Sequence, residues 1–190
     1  MSGCPLATGD GFLRRAPQPD ALAHERITLR NGRRVTLRPV QATDVDAEQR
    51  FIASLSPRSR LLRFHGAVNL LPPRVLQAMT QPDPQREVAL VAEASTDDGL
   101  PVLVADARYV RGPAGHAEFA IAVADDWQRQ GLARELLQRL GHHARRHGVA
   151  SMHGSVMQGN EPMLALMREF GADFRPDFDD ASTVVAQLPF

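Results

Sequence analysis

The stretch Gln128-x-x-Gly131-x-Ala133 carries the residue types and spacing best suited to chemistry. It stands between an apolar run at 117–124 and a helical stripe that starts at Leu132, so a strand hands over to a helix there. Successive backbone N–H groups and the helix N-terminus then face one point and form a cradle for an anion. Gly131 has no Cβ, so its backbone can approach a phosphate, and Ala133 is small for the same reason. Arg129 and Arg134 add positive charge. The loop is not a Walker A motif, because it lacks Gly-Lys-Ser/Thr, and not a dinucleotide fingerprint, because it lacks three spaced glycines. Taken alone, a strand–helix turn with a helpful glycine accounts for these residues equally well.

The elements that must hold this loop are legible from period and punctuation. Residues 27–30 and 35–37 alternate around Asn31-Gly32, which predicts a hairpin with a type I′ turn and positive φ at both central residues. Thr43 and Asp44 are good N-caps for a helix to Leu55, and Ser56-Pro57 starts another over 58–64. Pro72-Pro73 opens a third around 74–79. Strands follow at 88–94, 102–110 and 117–124, separated by turn residues at hairpin spacing. Leu132, Leu136, Leu137, Leu140 and Ala144 form the stripe of a helix that ends in Arg145, Arg146 and His147, with Gly148 after it. A strand at 151–156, a helix at 161–170 and strands at 172–175 and 183–188 complete the order β-β-α-α-α-β-β-β-α-β-α-β-β.

The chain has 190 residues, 43% hydrophobic and 23% charged, which is one globular domain's worth of an ordinary balance. Residues 1–25, with scattered Gly and Pro, read as a flexible tail, and 26–190 as the domain. The charges cancel, 22 basic against 22 acidic, so no global field gathers nucleic acid or an anionic membrane. All the basic residues are arginine. Cys4 is the lone cysteine, which excludes an intramolecular disulfide and a Cys-based zinc site. No run reaches the ~18 apolar residues of a membrane span. The expectation is a cytoplasmic protein, monomer or homodimer, without a metal. His142, His143 and His147 read as a solvated helix end rather than ligands, and Met152, Met157, Met163 and Met167 as core filler.

With the elements placed, Gln128-x-x-Gly131-x-Ala133 after a strand resembles the acetyl-CoA signature of the GNAT superfamily of N-acetyltransferases. Asn160, between a strand and the last helix, matches that family's downstream asparagine. Residues 29–39, residues 54–64 and Ala117-Glu118-Phe119-Ala120 are similar to bacterial protein-lysine acetyltransferase (Pat-like) domains. The resemblance implies an α/β (α+β) GNAT fold with a mixed, mainly antiparallel central sheet flanked by helices. It implies that Ile121, Ala122 and Val123 pair their backbone with the pantetheine arm of acetyl-CoA. Gln128, Arg129, Gln130, Gly131, Leu132, Ala133 and Arg134 would hold the pyrophosphate, and Asn160 would contact the coenzyme or its sulfur side. Glu118 would be the general base, its carboxyl raised by burial beside Phe119 and Ile121. His65, after the second helix, would either touch substrate or serve packing. Many members place a tyrosine seven residues after the asparagine to protonate the leaving thiolate; here Met167 stands there. The acceptor expected is a protein lysine. The alternatives are a small amine (polyamine, amino sugar or amino acid) or a non-catalytic acyl-CoA-sensing module.

Overall fold

The computed structural model describes residues 23–66, 68, 70–96 and 98–190. Most of the expected tail therefore lies outside the described residues. The elements are β1 (Glu25–Thr28), β2 (Arg34–Pro39), α1 (Val45–Ser54), α2 (Pro57–Phe64), α3 (Pro73–Thr80), β3 (Glu87–Ser95), β4 (Pro101–Arg111), β5 (His116–Val123), α4 (Leu132–Arg146), β6 (Ser151–Met157), α5 (Glu161–Glu169), β7 (Asp173–Pro176) and β8 (Thr183–Pro189). They follow the expected order. The strands form an eight-stranded sheet in the order β1-β2-β3-β4-β5-β6-β8-β7. Among the described residues the β5–β6 pairing is parallel and the others antiparallel.

Two local expectations are corrected. The hairpin turn is not type I′: Gly32 has φ +83°, but Asn31 is not among the positive-φ residues. The Leu29 N–H donates to the Arg33 carbonyl (2.8 Å) and the Gly32 N–H to that of Leu29 (2.9 Å), so the loop is longer, with glycine in the left-handed place. Asp44 stands at the start of α1 but does not cap it with its side chain. Its carboxylate turns back onto Arg38 (2.7 and 2.9 Å) and the Gln41 N–H (2.7 Å).

Each sheet face carries its own core. Leu132, Leu136, Leu137 and Leu140 of α4 and Leu164 and Met167 of α5 pack with Leu90, Ala107 and Tyr109. Phe51, Ile52 and Leu55 of α1 and Leu76 of α3 pack with Ala89, Val91 and Leu103 on the other. Each such side chain contributes roughly 1.5–3 kcal/mol by leaving water.

The sheet opens in its middle. β5 and β6 pair over His116↔Ser151, Ala117↔Met152 and Glu118↔His153, while β5 runs on to Val123 and β6 to Met157. Phe119 lies at the point of divergence, and its ring fills the space over Gly154. A Cβ built on Gly154 would stand 2.9 Å from that ring and 3.1 Å from the Phe119 carbonyl oxygen. Gly154→Ala is therefore expected to lower unfolding stability by about 1–3 kcal/mol through overpacking, read as a lower midpoint in urea. An unchanged midpoint would mean the ring has room to move.

Candidate active site

The hydrogen-bond parity of β5 decides which groups face the opening. The Ala124 N–H donates to the Val104 carbonyl (2.9 Å), and the Gly112 N–H donates to that of His116 (2.8 Å). Pairs alternate along an antiparallel ladder, so Glu118, Ala120 and Ala122 turn their backbone groups to β4. Phe119, Ile121 and Val123 turn theirs toward the gap. The expectation for Ala122 is thus corrected: its amide belongs to β4. Its side chain, with those of Ala120 and Glu118, shares a face with cross-strand partners Asp106, Arg108 and Val110. Asp106 meets Arg63 of α2 and Arg108 meets the Met79 carbonyl of α3, so this is the α1–α3 face.

Beyond β5 the chain makes a short 3-10 turn, Asp125–Trp127, and reaches α4 through Gln128–Gly131. Arg129 has φ +59° and Gly131 φ +91°. The left-handed arginine costs on the order of 1 kcal/mol, strain that the surrounding contacts must offset. The Gln128 amide donates to the Val123 carbonyl (3.0 Å) and to Ser59 Oγ (3.1 Å). The Arg30 N–H donates to the Gln130 carbonyl (3.3 Å), while the Arg30 side chain lies over Gly131. Arg33 stacks on Trp127 at 3.2 Å from the ring centroid. No side chain caps α4. The N–H groups of Leu132, Ala133 and Arg134 have no acceptor one turn earlier in the helix, which suits a diphosphate. The Leu132 side chain itself is core. Arg134 pairs with Glu169 and lies over the Phe170 ring.

Asp125 ties this loop to α2, a link the sequence reading missed. It accepts from the Ser56 N–H (2.9 Å), Ser56 Oγ (2.7 Å) and Ser59 Oγ (2.8 Å). Partial burial works against its charge, but these donors outweigh it and hold the carboxyl below its usual range. The partners are more than sixty residues apart in sequence, which no local pattern announces.

Together these elements enclose a cleft of about 830 Å³. It is lined by β5 from Glu118 to Val123, by Gln128, Arg129, Gly131, Ala133 and Arg134, and by Asn160. Across from them stand Arg58, Ser59, Leu62, Arg63, Phe64 and His65 of α2 and its end. Of the expected site residues, Gln130 and Leu132 do not line it. Glu118 is exposed at the cleft, not buried beside Phe119 and Ile121 as expected, because its side chain stands on the opposite face from theirs. His65 takes φ +52° at the end of α2. Asn160 caps α5, its Oδ1 accepting from the Met163 N–H (3.3 Å). Arg58 reaches across to the Gly159 carbonyl (3.3 Å).

Three further placements matter. Met167 is wholly buried and lies outside the cleft. Tyr109 is buried on the α4 face, its hydroxyl 2.8 Å from His143 Nδ1. The expectation of a solvated histidine cluster fails at His143, which is 7% exposed and stacks on His147 with ring centroids 3.9 Å apart. The chain's single tyrosine is its partner, and tertiary packing alone brings them together.

The second missed feature is a buried charge cluster behind the cleft. Asp106 accepts from Arg108 Nε (3.1 Å) and Nη2 (2.5 Å). Arg63 Nη2 is 3.7 Å from Asp106, and Glu48 Oε1 is 4.0 Å from Arg108. Glu48 is 0% exposed, and neither of its oxygens has a hydrogen-bond partner. Burial, helped by Asp106 and opposed by Arg108 and Arg63, pushes its carboxyl up to about 8. A carboxylate on the same helix face as Ile52 and Leu55 was the available sequence signal.

The sequence model of the Acetyltransferase (GNAT) family matches residues 73–172. The acetyltransferase PA5475 of Pseudomonas aeruginosa is 33% identical over 162 residues, 85% of this chain and 87% of its own. The chain belongs to the GNAT family of acetyltransferases. In fold it resembles the GNAT domain of Streptomyces lividans PAT, with a TM-score of 0.79 at 24% identity over 92% of this chain and 100% of that one. A cAMP-binding acyltransferase from Mycobacterium smegmatis gives 0.60 at 24% identity over 89% of this chain; this chain covers 48% of that longer protein. No described helix is long and apolar enough to cross a membrane.

Proposed function

We propose that this chain transfers acetyl from acetyl-CoA to a protein lysine side chain, by direct attack in a ternary complex. The observation that carries the reading is one cleft in which the gap-facing backbone of β5, the uncapped N-terminus of α4 and Glu118 meet. Backbone groups of Ile121 and Val123 would hold the pantetheine arm. The amides of residues 129–134 would hold the pyrophosphate, since the Gln128 N–H already donates to the Asp125 carbonyl (3.2 Å), with Arg129 adding charge, and Asn160 would face the sulfur side. Glu118 takes a proton from the acceptor ammonium. The freed amine attacks the thioester carbonyl, and a gap-facing N–H of β5 donates to the oxyanion. The C–S bond breaks, the amide nitrogen gives up its second proton through water, and the thiolate takes up one proton from water, since Met167 is in the core and Tyr109 on the other face.

The lining charges favour this acceptor over a polyamine. Arg30, Arg58, Arg63, Arg129 and Arg134 face the cleft against Glu118, Asp125 and Glu169, and a polycation meets more repulsion than attraction there. The test is calorimetric titration with acetyl-CoA, then thiol release with lysine peptides, spermidine and glucosamine. Binding followed by release with the peptides is expected. Release from spermidine or glucosamine alone would move the acceptor to small amines. Tight binding without release from any amine would make the chain a sensor, and no binding would overturn the loop's role.

A further inference from the structure

The buried cluster behind the cleft is unbalanced. Asp106 spends both oxygens on Arg108, and Arg63 meets it at 3.7 Å, longer than a hydrogen bond. Glu48, the other acid, is sealed from water without a hydrogen-bond partner, and burial pushes its carboxyl up. Two guanidinium groups then share one carboxylate, whose hydrogen bonds all go to Arg108. Arg63 is the one of the two that lines the cleft, its guanidinium 4.9 Å from the centroid of the Phe64 ring.

We infer that Arg63 binds a carboxylate of the acceptor and so makes the enzyme selective for amines that carry one. The inference rests on the acetyltransferase reading above. Position sets the spacing. Arg63 meets Asp106, which lies opposite Ala122, while Glu118 stands four residues back along β5, a separation of about 13 Å of strand. One acceptor engages both only if its amine and carboxylate are many bonds apart. An α-amino group beside its own carboxylate is too close. A lysine Nε has the reach, with the carboxylate supplied by a neighbouring Asp or Glu in a polypeptide or by free lysine itself. Asp106 is the positioning residue: it meets Arg63 at 3.7 Å while keeping its hydrogen bonds for Arg108, so Arg63 has donors left for a ligand.

The test compares thiol release with two peptides that differ only by Glu or Gln two residues from the lysine, with free lysine and its amide as a second pair. A KM about ten-fold lower for the carboxylate member is expected. A preference within the peptides locates the carboxylate on a neighbouring residue, and one within free lysine alone locates it on the acceptor's own backbone. Arg63→Gln should erase the difference by raising KM rather than lowering kcat, and Arg63→Lys should restore part of it. Rescue by lysine separates charge from a merely structural role. Acetylation with no preference in the wild type, or a preference that survives Arg63→Gln, overturns the inference and leaves the acetyltransferase reading intact. If acetyl-CoA binds and neither pair is acetylated, that reading falls and this inference falls with it.

Discussion

Replacing Glu118 by Gln is expected to lower kcat roughly 10²–10⁴-fold while leaving acetyl-CoA affinity in place. A lysine side chain has a pKa of about 10.4 and reaches a neutral enzyme as an ammonium, which has no lone pair with which to attack. A base must remove that proton, and the cleft offers few. Of its lining carboxylates, Asp125 is held by three donors from α2 and Glu169 is paired with Arg134. Glu48 is buried beneath α1 on the same sheet face and does not line the cleft. Glu118 is the lining carboxylate without such a commitment among the described residues, and its side chain stands on the α1–α3 face of β5. Glutamine keeps the size and loses the proton affinity. The measurement is steady-state thiol release beside a calorimetric titration of the variant. A kcat within a factor of three of wild type would move the base elsewhere, and His65, which also lines the cleft, would be the next residue to replace. A loss of coenzyme binding would mean that Glu118 shapes the site rather than serving the chemistry.

The buried carboxyl of Glu48 should make the protein less stable as pH rises. Its proton affinity in the folded state is lifted from an ordinary value of 4.5 to about 8. Below 4.5 both folded and unfolded chains hold the proton, and Glu48 contributes no slope. Above 4.5 the unfolded chain releases it and the folded chain does not, so unfolding is favoured by up to about 1.4 kcal/mol per pH unit. The slope ends near 8, where the folded carboxyl ionises too, after a loss on the order of 4 kcal/mol. Other groups titrate in this range, so the informative quantity is the difference between wild type and Glu48→Gln. Urea midpoints between pH 5 and 8.5 should converge at the acid end, with the variant ahead at the alkaline end. Parallel curves would mean that Glu48 finds a partner in the folded state.

The elements were legible in the sequence nearly to the residue because local signals agreed with the fold. α4 is announced by its leucine stripe and Gly148, α2 by Ser56-Pro57, and the cleft's loop by Gly131 between a strand and that stripe. Gln128 was singled out by its place between strand and stripe, whereas Glu118 and Asn160 were expected at the site because the resemblance placed them. What escaped was long-range. The Ser56–Asp125–Ser59 network and the Tyr109–His143 bond join residues 34 to 69 apart, and nothing in either segment names its partner. The two errors of facing, at Ala122 and Glu118, have one cause. Alternation says that neighbours differ but not which face or edge each takes, and only pairing with β4 settles that. The Asn31-Gly32 turn shows that a dipeptide signal yields to loop length.

The divergence of β5 from β6 creates an edge strand in the interior of a sheet. Sheet edges are ordinarily liabilities, because their free N–H and C=O groups template pairing with another chain. Here the edge lies within an eight-stranded sheet, with the Phe119 ring wedged at its apex against Gly154. Another polypeptide cannot extend past that wedge, but a slender linear molecule with amide groups can add to the open part as a strand would. Affinity in strand addition comes from main-chain bonds and selectivity from the pockets alongside. The same strand is then two-sided by parity: its odd-numbered backbone groups face the opening, and its even-numbered ones anchor Glu118 to β4.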